Sequence, residues 1–152
     1  MPVLAKNKRA FFDYDILEKW EAGLVLTGAE VKSVKAGQVN LKGSFATISQ
    51  GKPLLINCHI APYKQAKGSQ KYYSPTHTRK LLLNKKEIKS LIGKEKQKGL
   101  TLLPLSIYTK KGFVKTEIGL GRGKKKRDKR EILKKKAIDQ EIRRVLRGKA
   151  NP

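Results

Sequence analysis

A catalytic or metal-centred reading of this chain fails first on supply. There is one cysteine, Cys58, and two histidines, His59 and His77, whereas a zinc site needs three or four such ligands. Cys58 and His59 are neighbours on an apolar stretch that reads as a strand, so their side chains point to opposite faces. Cys58 is therefore expected to be a core thiol. His77 has no nucleophile elbow or triad signature around it and reads as a solvated loop histidine. Gly119-Leu120-Gly121-Arg122-Gly123-Lys124-Lys125 is superficially like a phosphate loop. It lacks the Lys-Ser/Thr pair that meets phosphate and magnesium, and lysines continue where a helix should open. It reads as a flexible exit from a strand. The chain is expected to be no enzyme, with no cofactor, no metal and no small-molecule substrate.

The chemistry left is that of binding. Thirty-six Lys and Arg stand against twelve Asp and Glu, a formal charge of +24, which fits a polyanionic partner. Asn7-Lys8-Arg9, Lys32, Lys35, Lys42, Arg79-Lys80, Lys110-Lys111 and Lys115 recur at expected strand ends and loops. Phosphate contacts there would supply affinity and salt dependence. Phe11, Phe12, Tyr14 and Trp20 sit among these charges, and an exposed aromatic can stack on an unpaired base. Composition stops at a basic protein that binds RNA or DNA.

The elements that must position these residues fit one domain plus a tail. The chain has 152 residues, of which 38% are hydrophobic, enough for one modest core. Residues 1–121 carry a net charge of +14, and residues 122–152 carry +10 in a quarter of that length. No aromatic residue follows Phe113. The boundary is placed between a body, 1–122, and a basic tail, 123–152, which is expected to be disordered when free because it cannot bury enough apolar surface to offset ordering. No apolar run reaches the roughly 18–20 residues that span a bilayer, and the first residues lack a secretory h-region. A lone cysteine fits a reducing cytosol.

Arg9–Ile16 reads as a strand, Glu21–Gly23 as a turn and Leu24–Leu26 as a short buried strand. Gly28–Ala36 reads as a helix stopped by Gly37. Ser44–Ser49 and Leu54–Ile60 read as a hairpin across a four-residue loop, and Ala61–Thr76 as a mobile basic loop. Lys80–Leu83 reads as a strand, Asn84 with Glu87 as a capping box for a helix to about Lys98, and Leu100–Tyr108 with Phe113–Leu120 as a final hairpin. About seven short strands and two helices favour a mainly β chain, an OB-type β-barrel with two or three short helices, over a sandwich.

Three stretches go further. Asn7-Lys8-Arg9-Ala10, Asp13-Tyr14-Asp15-Ile16 and the run from Trp20 to Ser33 resemble the opening of the small protein B (SmpB) family, the tmRNA-binding proteins of bacterial trans-translation. Arg79-Lys80-Leu81-Leu82-Leu83-Asn84 resembles that family's central motif, and Gly123-Lys124-Lys125 with Asp128-Lys129-Arg130 its distal one. The resemblance implies an OB-type barrel that grips the tRNA-like domain of tmRNA in the cytoplasm and delivers it to stalled ribosomes. The tail would occupy the empty decoding centre and mRNA channel of the small subunit. It carries RNA contact onto Asn7, Tyr14, Glu21, Leu82 and Lys115, to which the basic pattern adds Lys32, Arg79 and Lys80. Asn7 would meet a base edge, Tyr14 a stacking partner and Lys115 a phosphate. Glu21 would accept from a 2′-hydroxyl or a guanine amino group, giving specificity where the lysines give affinity. In the tail the implied residues are Gly123, Lys124, Arg127, Asp128, Lys129, Arg130, Val145 and Leu146. Arg127 departs from the family's usual aromatic or histidine, although a guanidinium also stacks.

Two other classes are compatible with composition: a ribosomal or translation-factor OB protein, and an architectural DNA-binding protein. Neither gives a purpose to all three motifs. On the ribosome, a helix from about Glu131 to Leu146 would align Ile138, Ile142, Val145 and Leu146 as one apolar stripe.

Overall fold

The longest backbone pairing joins Leu100–Lys110 to Phe113–Gly123, and the Lys111-Gly112 turn between them, with φ of 51° and 81°, is a two-residue loop of the kind that twists with its strands. The computed structural model describes residues 3–64, 72–124 and 126–146; the side chains of 126–129, 131–132 and 144–146 lie outside that description. In chain order the described elements are β1 (Val3–Lys6), α1 (Lys8–Asp13), β2 (Tyr14–Leu24), α2 (Gly28–Lys35), β3 (Val39–Asn40), β4 (Phe45–Ser49), β5 (Lys52–Ile56), β6 (His59–Ile60), β7 (Arg79–Leu82), α3 (Lys85–Glu95), β8 (Leu100–Lys110), β9 (Phe113–Gly123) and α4 (Lys126–Leu146). The chain is mainly β, with four helices among the described residues.

The main sheet runs β1-β8-β4-β5-β7-β2-β9, and β9 also pairs with β8. The pairings of β8, β4, β5, β7, β2 and β9 therefore form a cycle. Its strands share one core with α2, α3 and β6: Leu24, Val34, Leu55, Ile60, Leu81, Leu91, Leu102, Ile107, Ile118 and Leu120 form a single buried cluster. Strand alternation assigns their neighbours outward: Leu81 faces this core and Leu82 faces away. A second, smaller cluster on the outside joins Ala10 of α1 to Leu103 and Leu105 of β8.

Several expectations are corrected. Arg9–Ile16 is not one strand: α1 occupies its first half. Asn7 caps α1, its Oδ1 accepting from the Ala10 N–H at 3.2 Å while Nδ2 donates to Pro104 O at 2.9 Å. Arg9 pairs with Asp13 one turn on and Ala10 packs on β8, so tertiary anchoring outweighs aromatic β-propensity. Glu21–Gly23 is no turn but lies within the eleven-residue β2. Gly23 serves close strand approach there, since a Cβ would stand 3.2 Å from Leu82 Cβ. Leu24 ends β2, and Val25 and Leu26 lie beyond it. The Ser44–Ser49 hairpin turns on two residues, Gln50 and Gly51 (φ 52° and 73°), rather than four. Asn57, at φ 61°, then divides the expected Leu54–Ile60 strand into β5 and β6.

The two expected helix starts hold. Thr27 with Glu30, and Asn84 with Glu87, each form a complete capping box. Within the expected loop, residues 65–71 lie outside the described ones, while Tyr73, Pro75 and His77 are tied down by the network described below.

Cys58 is fully buried, and burial pushes its thiol up to about 11. Cys58→Ala is expected to cost only about 1–2 kcal/mol of stability by removing one small buried group. The native thiol should resist alkylation at neutral pH, because the thiolate is the reactive species, and react on unfolding. Rapid alkylation of the folded protein, or stoichiometric zinc in the purified protein, would contradict this assignment.

Candidate nucleic-acid interface

The outward side chains of β7, β2, β9 and β8 converge. Gly23 pairs with both Leu82 and Lys115, and Glu21 pairs with Glu117 two residues back along β2. Directly paired residues share a face, so Glu21, Leu82 and Lys115 stand together, drawn from three separate stretches of sequence. Leu82 is 63% exposed and Phe113, two residues before Lys115, 69%. With Val25, Leu26 and Val31 they line an open apolar cleft of about 330 Å³ whose floor at Gly23 carries no side chain. Lys80 is exposed on β7, two residues from Leu82 and on the same side.

Glu21 is one of two acids on this face, beside its register partner Glu117. The Glu21 carboxylate accepts from Tyr108 Oη and from Lys110 Nζ at 3.3 Å. The Tyr108 hydrogen bond, with the Lys110 and Lys115 charges, holds the carboxyl below its usual range against the opposing pull of desolvation. The group is thus a fixed anion on a basic surface, able to accept hydrogen bonds but not to give them.

Tyr14 lies at the other end of β2, roughly 20 Å from Glu21 at about 3.3 Å per residue. It packs half-buried against the Ala10–Leu103–Leu105 cluster, in room left by Gly121, where a Cβ would come within 2.9 Å of Tyr14 Cβ. A second cleft of about 370 Å³ opens beside it, lined by Asn7, Arg9, Tyr14, Lys42 and Phe45.

Two expected contacts are engaged within the body. Asn7 is 6% exposed, and its amide meets Ala10 N, Pro104 O and Leu41 O; it caps α1 and anchors it to β8. Arg79, read as a surface cation, is fully buried. Its Nε donates to Glu30 at 2.8 Å, Nη1 to Cys58 O, and Nη2 to Tyr73 Oη and Pro75 O, each at 2.9 Å. The same Glu30 oxygen meets His77 Nε2 at 2.9 Å and Tyr73 Oη at 3.1 Å. His77 is therefore a hydrogen-bond partner of Glu30 rather than a free loop histidine. Glu30, Tyr108 and Phe113 were not singled out from the sequence; Thr27-x-x-Glu30 carries a capping signature, but burial of Glu30 is a long-range outcome. Lys32 stands exposed on α2 with Nζ 5.8 Å from the Tyr63 ring centre.

The face combines apolar contact, a fixed acceptor and flanking cations, and it joins Glu21 of the opening motif and Leu82 of the central one to Lys115. Residues 4–148 match the family model described as SmpB protein. The chain belongs to the SmpB family. It is 54% identical over 147 residues to an SsrA-binding protein of Sulfurihydrogenibium sp., covering 97% of this chain and 95% of that one. An SsrA-binding protein of Halalkalibacterium halodurans is 52% identical over 147 residues, with 97% and 94% covered. A solved structure described as "tmRNA-SmpB: a journey to the center of the bacterial ribosome" aligns with a TM-score of 0.68 at 51% identity, over 83% of this chain and 87% of that one.

In this SmpB-family chain the root of the tail is docked on the body. Gly123 ends β9 opposite Tyr14. Lys124 then donates its backbone N–H to Asp13 O at 2.8 Å and its Nζ to Phe11 O at 3.0 Å, a favourable place for a cation at the C-terminal end of α1. Lys125 lies outside the described residues. α4 begins at Lys126, earlier than expected, and runs through Arg127, Asp128, Lys129 and Arg130 to Val145 and Leu146. Arg130 is exposed; the side chains of Arg127, Asp128, Lys129, Val145 and Leu146 lie outside the described ones. Ile138 and Ile142 of the apolar stripe are about half exposed. No described helix is long and apolar enough to cross a membrane.

Proposed function

We propose that this chain is a non-catalytic RNA-binding protein of trans-translation, which grips the tRNA-like domain of tmRNA and carries it to stalled ribosomes in the cytoplasm. The carrying observation is the convergence of Glu21, Leu82 and Lys115 on one outward face. Its apolar cleft suits a base or sugar face, Lys115 and Lys80 a phosphate, and Glu21 a 2′-hydroxyl or amino donor. The cyclic pairing of six strands supports an OB-type barrel as the scaffold. The clustered lysines and the family's described tmRNA association favour RNA over DNA.

The tail is the second functional part. Every described side chain of α4 is exposed, so none of these packs on the body, and helices without tertiary support are marginal in water. In this reading the tail is disordered when free and takes its helical form in the decoding centre and mRNA channel of the small subunit. Sequencing the RNA that co-purifies with the protein tests the function. One dominant species with tRNA-like ends is expected; a mixture of ribosomal RNA fragments or DNA would overturn it.

A further inference from the structure

The outward face contains one group that touches Glu21 and that no RNA-contact role explains. Tyr108 is paired with Lys115 in register, so its ring lies on the outer side of β9 and points its hydroxyl at β2. It is only 8% exposed, so it presents little surface of its own to a ligand. Its hydroxyl donates to Glu21 Oε2, while Lys110 Nζ approaches Oε1 at 3.3 Å. Glu21, by contrast, is exposed, with 38% of its side chain open to solvent. An exposed glutamate samples many rotamers and must be ordered whenever a partner uses it, a cost that preorganisation removes. Tyr108 is a packed ring with few rotatable bonds, and is suited to set that orientation in advance.

We infer that Tyr108 is a positioning residue for Glu21: it fixes the carboxylate so that the lone pairs left over from Tyr108 and Lys110 face outward to accept from RNA hydroxyl and amino donors. The inference rests on the RNA-binding reading of this face. The other charged groups around Glu21 are Lys110 on β8 and Lys115 and Glu117 on β9. The two lysines attract phosphate whatever the RNA, and Glu117 is paired with Lys19 at 3.9 Å. Selectivity for a folded RNA surface is therefore left to the oriented acceptor, and Tyr108 acts on selectivity rather than on bulk affinity.

The test is a double-mutant cycle in the full chain with Tyr108→Phe and Glu21→Ala, using the tRNA-like domain of tmRNA and a random-sequence RNA of equal length at matched salt. Tyr108→Phe keeps the ring and deletes one hydroxyl, so the thermal midpoint should change little and can be checked alongside. It is expected to weaken binding to the tRNA-like domain roughly three- to tenfold, the scale of one side chain's ordering cost, and to leave random RNA unchanged. Added to Glu21→Ala, it should cost nothing further, because Tyr108 acts only through that carboxylate. If Glu21→Ala itself leaves both RNAs bound as before, the reading of the face fails. If Glu21→Ala loses selectivity while Tyr108→Phe retains it, or if the two losses add, the positioning role of Tyr108 is overturned and the face stands without it.

Discussion

Arg79→Met is expected to lower the thermal unfolding midpoint by roughly 10 °C, at about 2–4 °C per kcal/mol for a chain of this size. The cause is the charge it strands. Glu30 is 2% exposed, and removing one partner of a buried pair costs about 3–5 kcal/mol because the other charge stays buried without compensation. The carbonyls of Cys58 and Pro75 lose their Arg79 donors in the same step. Adding Glu30→Gln removes the stranded charge while keeping an acceptor for the Thr27 capping box, so the double variant should recover part of the loss, with a coupling of about 1 kcal/mol or more. A loss below about 1 kcal/mol for Arg79→Met, or strictly additive variants, would show that the pair is not the anchor its geometry indicates.

The same carboxyl gives the protein an acid limit. Burial pushes Glu30 up, but the Thr27 N–H, Arg79 and His77 outweigh it and hold the group at about 2, against 4.5 when unperturbed. A group depressed in the folded state contributes stability that is complete above its unfolded value and is lost as pH falls towards its folded one. Stability should therefore decline between about pH 4.5 and pH 2, and Glu30→Gln should remove that portion of the decline. The functional consequence is positional. Arg79 opens β7, so the pair fixes the strand that presents Lys80 and Leu82, and joins it to α2 and to the segment carrying Tyr73, Pro75 and His77.

What the sequence discloses follows from how local each signal is. The Asn84–Glu87 capping box is legible because cap and partner lie three residues apart, α2 is legible from Val31, Val34 and its stop at Gly37, and the final hairpin is legible because Gly112 marks its turn. α1 is not: its Asn7 cap finds Pro104 ninety-seven residues away, and its buried Ala10 is an unremarkable residue until β8 is beside it. Gly23 reads as a turn because glycine permits both a turn and a close approach, and only the presence of Leu82 distinguishes them. Residue type alone puts Arg79 on the surface, since its burial depends on an acid forty-nine residues earlier. Glu21, Leu82 and Lys115 stand out in the sequence only through family resemblance, and what they share, one sheet face, appears only when β7, β2 and β9 are side by side. Tyr108 carried no signal at all, because its meaning lies two strands away, at Glu21.

The largest functional effect is expected in the tail. In α4, Ile138, Ile142, Val145 and Leu146 recur at i, i+4, i+7 and i+8, which places them on one side of the helix. Ile138 and Ile142, the described part of that stripe, are about half exposed. A helix of 21 residues is about 30 Å long, which suits a channel more than a pocket. Val145→Asp with Leu146→Asp keeps every basic residue and lowers the net charge by only two, yet ends the stripe with two charges. Peptide tagging on stalled ribosomes is expected to disappear. Affinity for the tRNA-like domain at moderately high salt should change less than about tenfold, some 1.4 kcal/mol, because Glu21, Leu82 and Lys115 are untouched. A chain ending at Gly123 should behave the same way on both measurements, with one addition. It also lacks the Lys124 contacts to Asp13 O and Phe11 O, so α1 should loosen and its amides exchange faster. The alternative is an arm that holds ribosomal phosphates by charge alone. That arm would tolerate the two aspartates and fail only on truncation, so tagging that survives Val145→Asp with Leu146→Asp would make the electrostatic account the right one.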